Sequence, residues 1–373
     1  MRDRRTGRFA LVIVGGLLLG LFVFGAVDVG TADPRPAEPA TALPTTTRNP
    51  PTTVPPSPIE AAPSDVPASI APSDAETPEP VRRALTVHAV GDVVFDPDYI
   101  VDFRTIGYGA AFDGLDGLFK TDDLTIVNLE CSPSMLGAPL DKQFVFRCPP
   151  SALAAARAEG VEVANLANNH SQDFGQLAML DGLLHARLAG LRPVGVGIDV
   201  HSATTPQIID VGGWRIAVLG MGGVVPGEAW LAGEGAPGMA SGDDIDQMTT
   251  AVRAASENAD FVFVTIHWGI EGESEPRDDD RARAQAMIEA GADAVFGHHP
   301  HRLGALELIG DVPVFWTLGN FIWHRLSDAS ATTGVARLEI SAEGEITACL
   351  LPAFITRNGQ PELTGARDCG GAE

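Results

Sequence analysis

Three histidines, His298, His299 and His301, fall within four positions of the stretch AVFGHHPHRLG at residues 294–304. Imidazoles at that density, directly after an apolar run, suit the binding of a divalent metal, since two rings one residue apart on a loop can converge on one ion. Four other apolar runs end in the same kind of group: AVGD in Asp92, VNLE in Asn128 and Glu130, ANLANNH in Asn168, Asn169 and His170, and VTIHWG in His267. Each alone has a structural explanation, an Asp or Asn in a turn or a histidine bonded within a core, and His88, His185, His201 and His324 are read that way. The coincidence of five favours a site. Carboxylate, amide and imidazole together are the donor set of borderline divalent ions, and two such ions about 3.5 to 4 Å apart can activate water and neutralise charge on a leaving oxygen. Asp173, three residues after His170, is either the cap of a following helix or the acceptor that orients that imidazole.

Such residues must be delivered by a scaffold, and the intervening pattern describes one. LTVHAVGD, LTIVNLE, VEVANLA, DFVFVTI and ADAVFG have the composition of strands, and PQIIDV and WRIAVLG flank a Gly-Gly turn as a hairpin. PSALAAARAEG and GQLAMLDGLLHARLAG have helical periodicity, as do the stretches near 243–258 and 281–290. VPVFWTL, GVARLEI and ITACLLPAF add late strands. The pattern predicts an α/β domain, richer in β towards its end, with the polar groups at the carboxyl ends of its strands, where α/β sites assemble.

The domain occupies residues 84–373. Ahead of it, four arginines among the first eight residues precede an uncharged apolar run from Phe9 to Val27, so residues 1–30 are read as a membrane anchor with a cytoplasmic amino terminus, or as a signal segment if cleaved. Residues 31–83 are rich in Pro, Thr, Ser and Ala and read as a disordered spacer. Either reading of the first segment places the domain outside the cell. An even count of four cysteines then points to disulfides; three pairings are open, and Cys131 with Cys148 and Cys349 with Cys369 are favoured because each closes a local loop. The formal charge of −24 disfavours a nucleic-acid partner. Any anionic substrate needs a locally positive cleft, for which Lys142, Arg147 and Arg302 are available.

VGD, NLE, ANNHSQDFG, HWG, EAGADAVFGHHPH and TLGNF, in that order over residues 85–323, resemble the bacterial poly-γ-glutamate capsule synthesis proteins of the CapA (PGA_cap) family. That family is similar in turn to the calcineurin-like metallophosphoesterases, and the resemblance implies their four-layer α/β/β/α sandwich with one or two divalent ions, Mn, Fe or Zn, at the strand ends. It implies Asp92, Glu130, Asn169, His267, His299 and His301 as metal ligands, Glu130 standing where those enzymes place a bridging Asp. His170, oriented by Asp173, would contact substrate or protonate a leaving group, and Asn128, His298 and Asn320 would contact substrate. Two positions depart from the phosphoesterase pattern: the residue two after Asp92 is Val94 instead of His, and His298 leaves the register of Gly-His-x-His open. The implied function is a metal-dependent hydrolase or transferase acting on an envelope polymer, poly-γ-glutamate or a phosphoester. The alternative is a non-catalytic polymer-binding or export component of a membrane synthase complex.

Overall fold

A computed structural model describes residues 81–370. The apolar run at 9–27 and nearly all of the spacer lie outside the described residues; among those described, no helix is long and apolar enough to cross a membrane. The chain contributes β1 (Leu85–Val93), β2 (Leu124–Leu129), β3 (Val163–Asn165), β4 (Arg192–Val194), β5 (Val196–Gly197), β6 (Gln207–Val211), β7 (Trp214–Gly222), β8 (Gly238–Met239), β9 (Phe261–His267) and β10 (Ala294–His298). Later come β11 (Leu306–Ile309), β12 (Val312–Phe315), β13 (Asn320–Ile322), β14 (Thr332–Ile340), β15 (Ile346–Arg357) and β16 (Gln360–Leu363). The helices are α1 (Phe103–Ile106), α2 (Pro150–Ala158), α3 (Gln176–Leu188), α4 (Val200–Thr204), α5 (Ile245–Ser256), α6 (Asp278–Glu289) and α7 (Asp328–Ala331).

The first sheet has the order β16-β15-β14-β1-β2-β3-β4, with β13 also paired to β1; the second has the order β11-β12-β10-β9-β7-β6; and β5 and β8 pair as a separate two-stranded sheet. Alternation along the strands explains their stacking. Leu85, Val87 and Ala89 of β1 and Leu124 and Ile126 of β2 meet Phe261 and Phe263 of β9 and Phe296 of β10 in a core between the sheets. The opposite faces are also apolar and are covered by helices: Val90 and Val127 pack with Leu153 of α2 and Met179 of α3, while Val262, Val264 and Val295 pack with Met248 and Val252 of α5 and Met287 of α6. Three apolar layers between four layers of structure make the α/β/β/α sandwich that the resemblance implies. Strands buried on both faces read as near-continuous apolar runs, which is why their polar ends stood out in the sequence.

The phase of the alternation puts Asn128, Asn165, Thr265, His267 and His298 on the inter-sheet face at the carboxyl ends of their strands. Asp92 needs a correction to join them. Val90 pairs with Val127 and Asp92 with Asn128, so Gly91 is an extra residue in β1, a bulge that turns the next side chain to the other face. At the same point β1 changes neighbour, from β14 along Leu85–Val90 to β13 at Asp92. The approach is close: Asp92 N donates to Gly319 O (2.9 Å), and a Cβ on Gly91 would lie 1.9 Å from that oxygen. The described chain enters at the other end of the strands, where Arg83 N donates to Gly212 O (2.9 Å) in the β6–β7 hairpin and Arg82 stacks over Trp214 (4.1 Å).

Candidate metal centre

The strand ends converge on Glu130. Its carboxylate is fully buried, and neither oxygen has a hydrogen-bond partner. Two sets of donor atoms share it: Asp92, Glu130 and His301 form one, and Glu130, His267 and His299 the other, the atoms within each set lying within 4.8 Å of one another. His267 Nε2 is 3.7 Å from Glu130 Oε1, His301 Nε2 is 3.9 Å from it, and His301 Nδ1 is 3.0 Å from Asp92 Oδ2. Asn169 adds its Oδ1 at 2.9 Å from His267 Nε2. His299 and His301 both have left-handed backbone, φ 97° and 55°, a conformation that costs a non-glycine residue about 1 kcal/mol or more and is retained where the surroundings impose it.

The electrostatics fit a cation. Burial and the nearby charges of Asp92 and Asp173 hold the Glu130 carboxyl well above its ordinary range. Burial alone would raise Asp92 too, but His301, His298 and Asn128 outweigh it and hold that carboxylate below its ordinary range. Burial, reinforced by the other imidazoles, holds His267 well below the usual histidine value. His299 is pushed down to about 4 by burial and by His301. The neutral imidazoles of His267 and His299 are in the form that ligates a divalent ion, and a buried carboxylate with no donor is stable as an anion only beside positive charge. The residues present therefore fit a metal centre.

Around this centre lie groups that bond to protein. Asn128 donates through Nδ2 to Asp92 Oδ1 (2.8 Å), with His267 Nδ1 3.1 Å from the same nitrogen. His298 Nε2 lies 2.8 Å from Thr265 Oγ1, and burial lowers that ring to about 4. Both residues, read from sequence as substrate contacts, sit fully buried behind the centre. His298 belongs to neither donor set, so the structure selects His299 and His301 as the converging pair. Val94 is buried in the apolar layer against the first sheet.

His170 occupies the open side. Its Nδ1 is 2.6 Å from Asp173 Oδ2 and its Nε2 is 3.8 Å from Glu130 Oε1. Asp173 also accepts from Phe146 N (2.7 Å) and Lys142 Nζ (2.5 Å), so it is an acceptor throughout and His170 donates from Nδ1. Helix α3 begins later, with Gly175 at its cap; of the two sequence readings of Asp173, the structure supports the orienting one. Burial lowers the His170 ring despite Asp173, leaving it neutral with Nε2 as an acceptor.

A cavity of about 630 Å³ opens over His170, His301 and Asn169, walled by Tyr99, Phe144 and Trp323, with Lys142, Arg302 and Glu271 also on its lining. These wall residues come from segments without periodic pattern; the aromatic character of FVF and NFIW was the only sequence signal for Phe144 and Trp323, and Tyr99 had none. Lys142 and Phe146 lie in a loop closed by the Cys131–Cys148 disulfide (Cα–Cα 5.7 Å). A second disulfide joins Cys349 to Cys369 (Cα–Cα 5.4 Å).

Comparison with known proteins follows the same residues. The profile described as "Bacterial capsule synthesis protein PGA_cap" matches residues 86–325. The chain is 26% identical over 294 residues to "Capsule biosynthesis protein CapA" of Bacillus anthracis, covering 77% of this chain and 71% of that protein. It is 29% identical over 283 residues to "PGA biosynthesis protein CapA" of Bacillus subtilis (strain 168), covering 72% and 74%. Among solved structures, a 5'-nucleotidase from Candida albicans SC5314 aligns over 73% of this chain and 52% of its own, at 10% identity and a TM-score of 0.44. With the strand-end motifs, the bulge that brings Asp92 inward and the Glu130 centre all inside the matched region, the chain belongs to the PGA_cap family of bacterial capsule synthesis proteins.

Proposed function

We propose that this chain is an exported, membrane-anchored CapA-like protein whose domain is a metal-dependent hydrolase or transferase, acting on an envelope polymer, poly-γ-glutamate or a phosphoester, alongside a capsule synthase complex. The observation that carries this reading is the Glu130 carboxylate, buried without a donor and shared by two donor sets. Asp92, Glu130 and His301 would hold one divalent ion, and Glu130, His267 and His299 with Asn169 a second. Bound there, such ions supply Lewis-acid activation and offset charge on a leaving oxygen.

The protein's own groups do the rest. His170, held through Nδ1 by Asp173, offers Nε2 to the cavity floor, where it takes a proton from an attacking hydroxyl and returns it to the leaving oxygen. An oriented imidazole is superfluous for merely retaining a metal, which favours catalysis over passive polymer binding. Lys142 fixes the geometry by donating to both Asp173 Oδ1 and Asn169 O. Lys142 and Arg302 place positive charge on the lining of an otherwise acidic protein, as a polyanionic substrate requires. The arginine cluster ahead of the apolar run supports export.

The test is metal content together with phosphodiesterase and poly-γ-glutamate cleavage assays on the purified full chain. The expected result is tightly held divalent metal, turnover, and a loss of roughly 10²- to 10⁴-fold in His170→Ala with metal retained. Metal retention with no turnover on either substrate class, and with capsule formation unaffected by His170→Ala, would move the assignment to a binding or export component.

A further inference from the structure

The two donor sets around Glu130 are unequal. The one with His267 and His299 is supplemented by the amide oxygen of Asn169, whereas Asp92, Glu130 and His301 have no counterpart from β1. Val94, where the phosphoesterase pattern has an imidazole, is committed to the apolar layer, and its N–H is bonded to Ile322 O (2.9 Å).

Asn320 stands beside that set from another strand. It pairs in parallel register with Asp92, and register partners in a parallel ladder present their side chains to the same face. Its Nδ2 donates to Ser330 O (3.0 Å), and since a carbonyl can only accept, this bond fixes which end of the amide faces which way. The oxygen, turned away from Ser330, has no partner although the residue is only 1% exposed. Asn320 also lines the same cavity as His301, Asn169 and His170. A buried amide oxygen without a donor is unfavourable unless something electropositive lies beside it.

We infer that Asn320 Oδ1 is the additional donor to the ion held by Asp92, Glu130 and His301, an amide oxygen in the role that an imidazole has in the phosphoesterase pattern. This rests on the two-ion reading above. Each ion then takes one amide oxygen, from Asn169 or Asn320, and the first ion has three oxygen donors and one nitrogen. Exchanging nitrogen for oxygen shifts its preference from Zn²⁺ towards harder ions such as Mn²⁺.

The experiment is calorimetric titration of the metal-stripped full chain with Mn²⁺, with bound metal counted by plasma mass spectrometry. Wild type should bind two ions. Asn320→Leu should keep one at wild-type affinity and weaken the other at least about 10- to 100-fold, the range seen when groups supporting a metal site are removed; Asn320→Asp, which keeps an oxygen, should retain both. Unchanged binding of both ions by Asn320→Leu overturns the inference and leaves the two-ion reading standing, whereas a wild-type chain that binds no Mn²⁺ overturns both. Should Asn320→Leu fail to fold, the anomalous signal of a Mn²⁺-loaded wild-type crystal decides independently: Oδ1 in contact with the ion supports the assignment, and Oδ1 turned to a water or a substrate group instead overturns it.

Discussion

Glu130 is held in a position that no carboxylate would adopt for stability alone. It is fully buried, has no hydrogen-bond donor and faces the charge of Asp92. Removing an uncompensated buried charge relieves a penalty, while removing a shared ligand abolishes binding. Glu130→Gln, nearly isosteric, should therefore be more stable than wild type by roughly 1–3 kcal/mol when both are metal-free at pH 8, yet lose most of the stabilisation that metal confers. Calorimetric melts with and without Mn²⁺ measure both; a metal-free variant less stable than wild type would make Glu130 a structural residue. At this scale the strand ends were legible because apolar runs lead into polar residues there, while the set Asp92, Glu130, Asn169, His267, His299 and His301 was what the family resemblance implied. What sequence left open was which of three neighbouring histidines converge and whether Asp173 caps a helix. Both depend on where a loop turns, set here by left-handed backbone at His299 and His301 and by the Phe146 and Lys142 donors to Asp173.

The element that decides the site is β1, whose bulge at Gly91 turns Asp92 inward and lets β13 approach. A methyl group there would collide with the Gly319 carbonyl, so Gly91→Ala should destabilise the fold by about 1–3 kcal/mol, the usual cost of overpacking. Because β13 carries Asn320, it should also weaken metal binding. Denaturant titration and metal counting check the two effects, and an unperturbed variant would show that the approach is not tight. Strands and helices were readable from periodicity, but the β1–β13 pairing was not, since it joins residues far apart in sequence through three-residue β13. A second element-scale device lies at the opposite end of the first sheet. Burial, opposed by Thr125 N–H and by Arg157, raises Glu162 to about 7 from an ordinary 4.5, so the folded state holds a proton that the unfolded chain gives up. Its contribution to stability is complete below about 4.5 and is lost as pH rises through about 7. Glu162→Gln should flatten that part of the stability profile, as thermal melts between pH 4 and 8 would show; an unchanged slope would refute the assignment.

For the molecule as a whole, the two disulfides have different work. Cys349–Cys369 ties the carboxyl-terminal segment to β15, remote from the centre, whereas Cys131–Cys148 closes the loop bearing Lys142, Phe144 and Phe146. Replacing either pair by serine should cost about 3 kcal/mol for loops of this length, but only the Cys131, Cys148 replacement should also slow turnover, because Lys142 would lose its fixed approach to Asp173. Guanidinium denaturation and steady-state kinetics separate the two; equal kinetic loss from both would contradict the division. Where the chain enters also matters. Arg83 is fastened to the β6–β7 hairpin, and nine-residue β1 carries the backbone roughly 30 Å from there to the cavity floor. The described chain thus enters at the end of the domain away from the cavity. An affinity handle, a fluorescent fusion or a bead joined ahead of residue 81 would leave the cavity mouth clear, and a film of molecules captured through that end would present the Glu130 cavity to the solution.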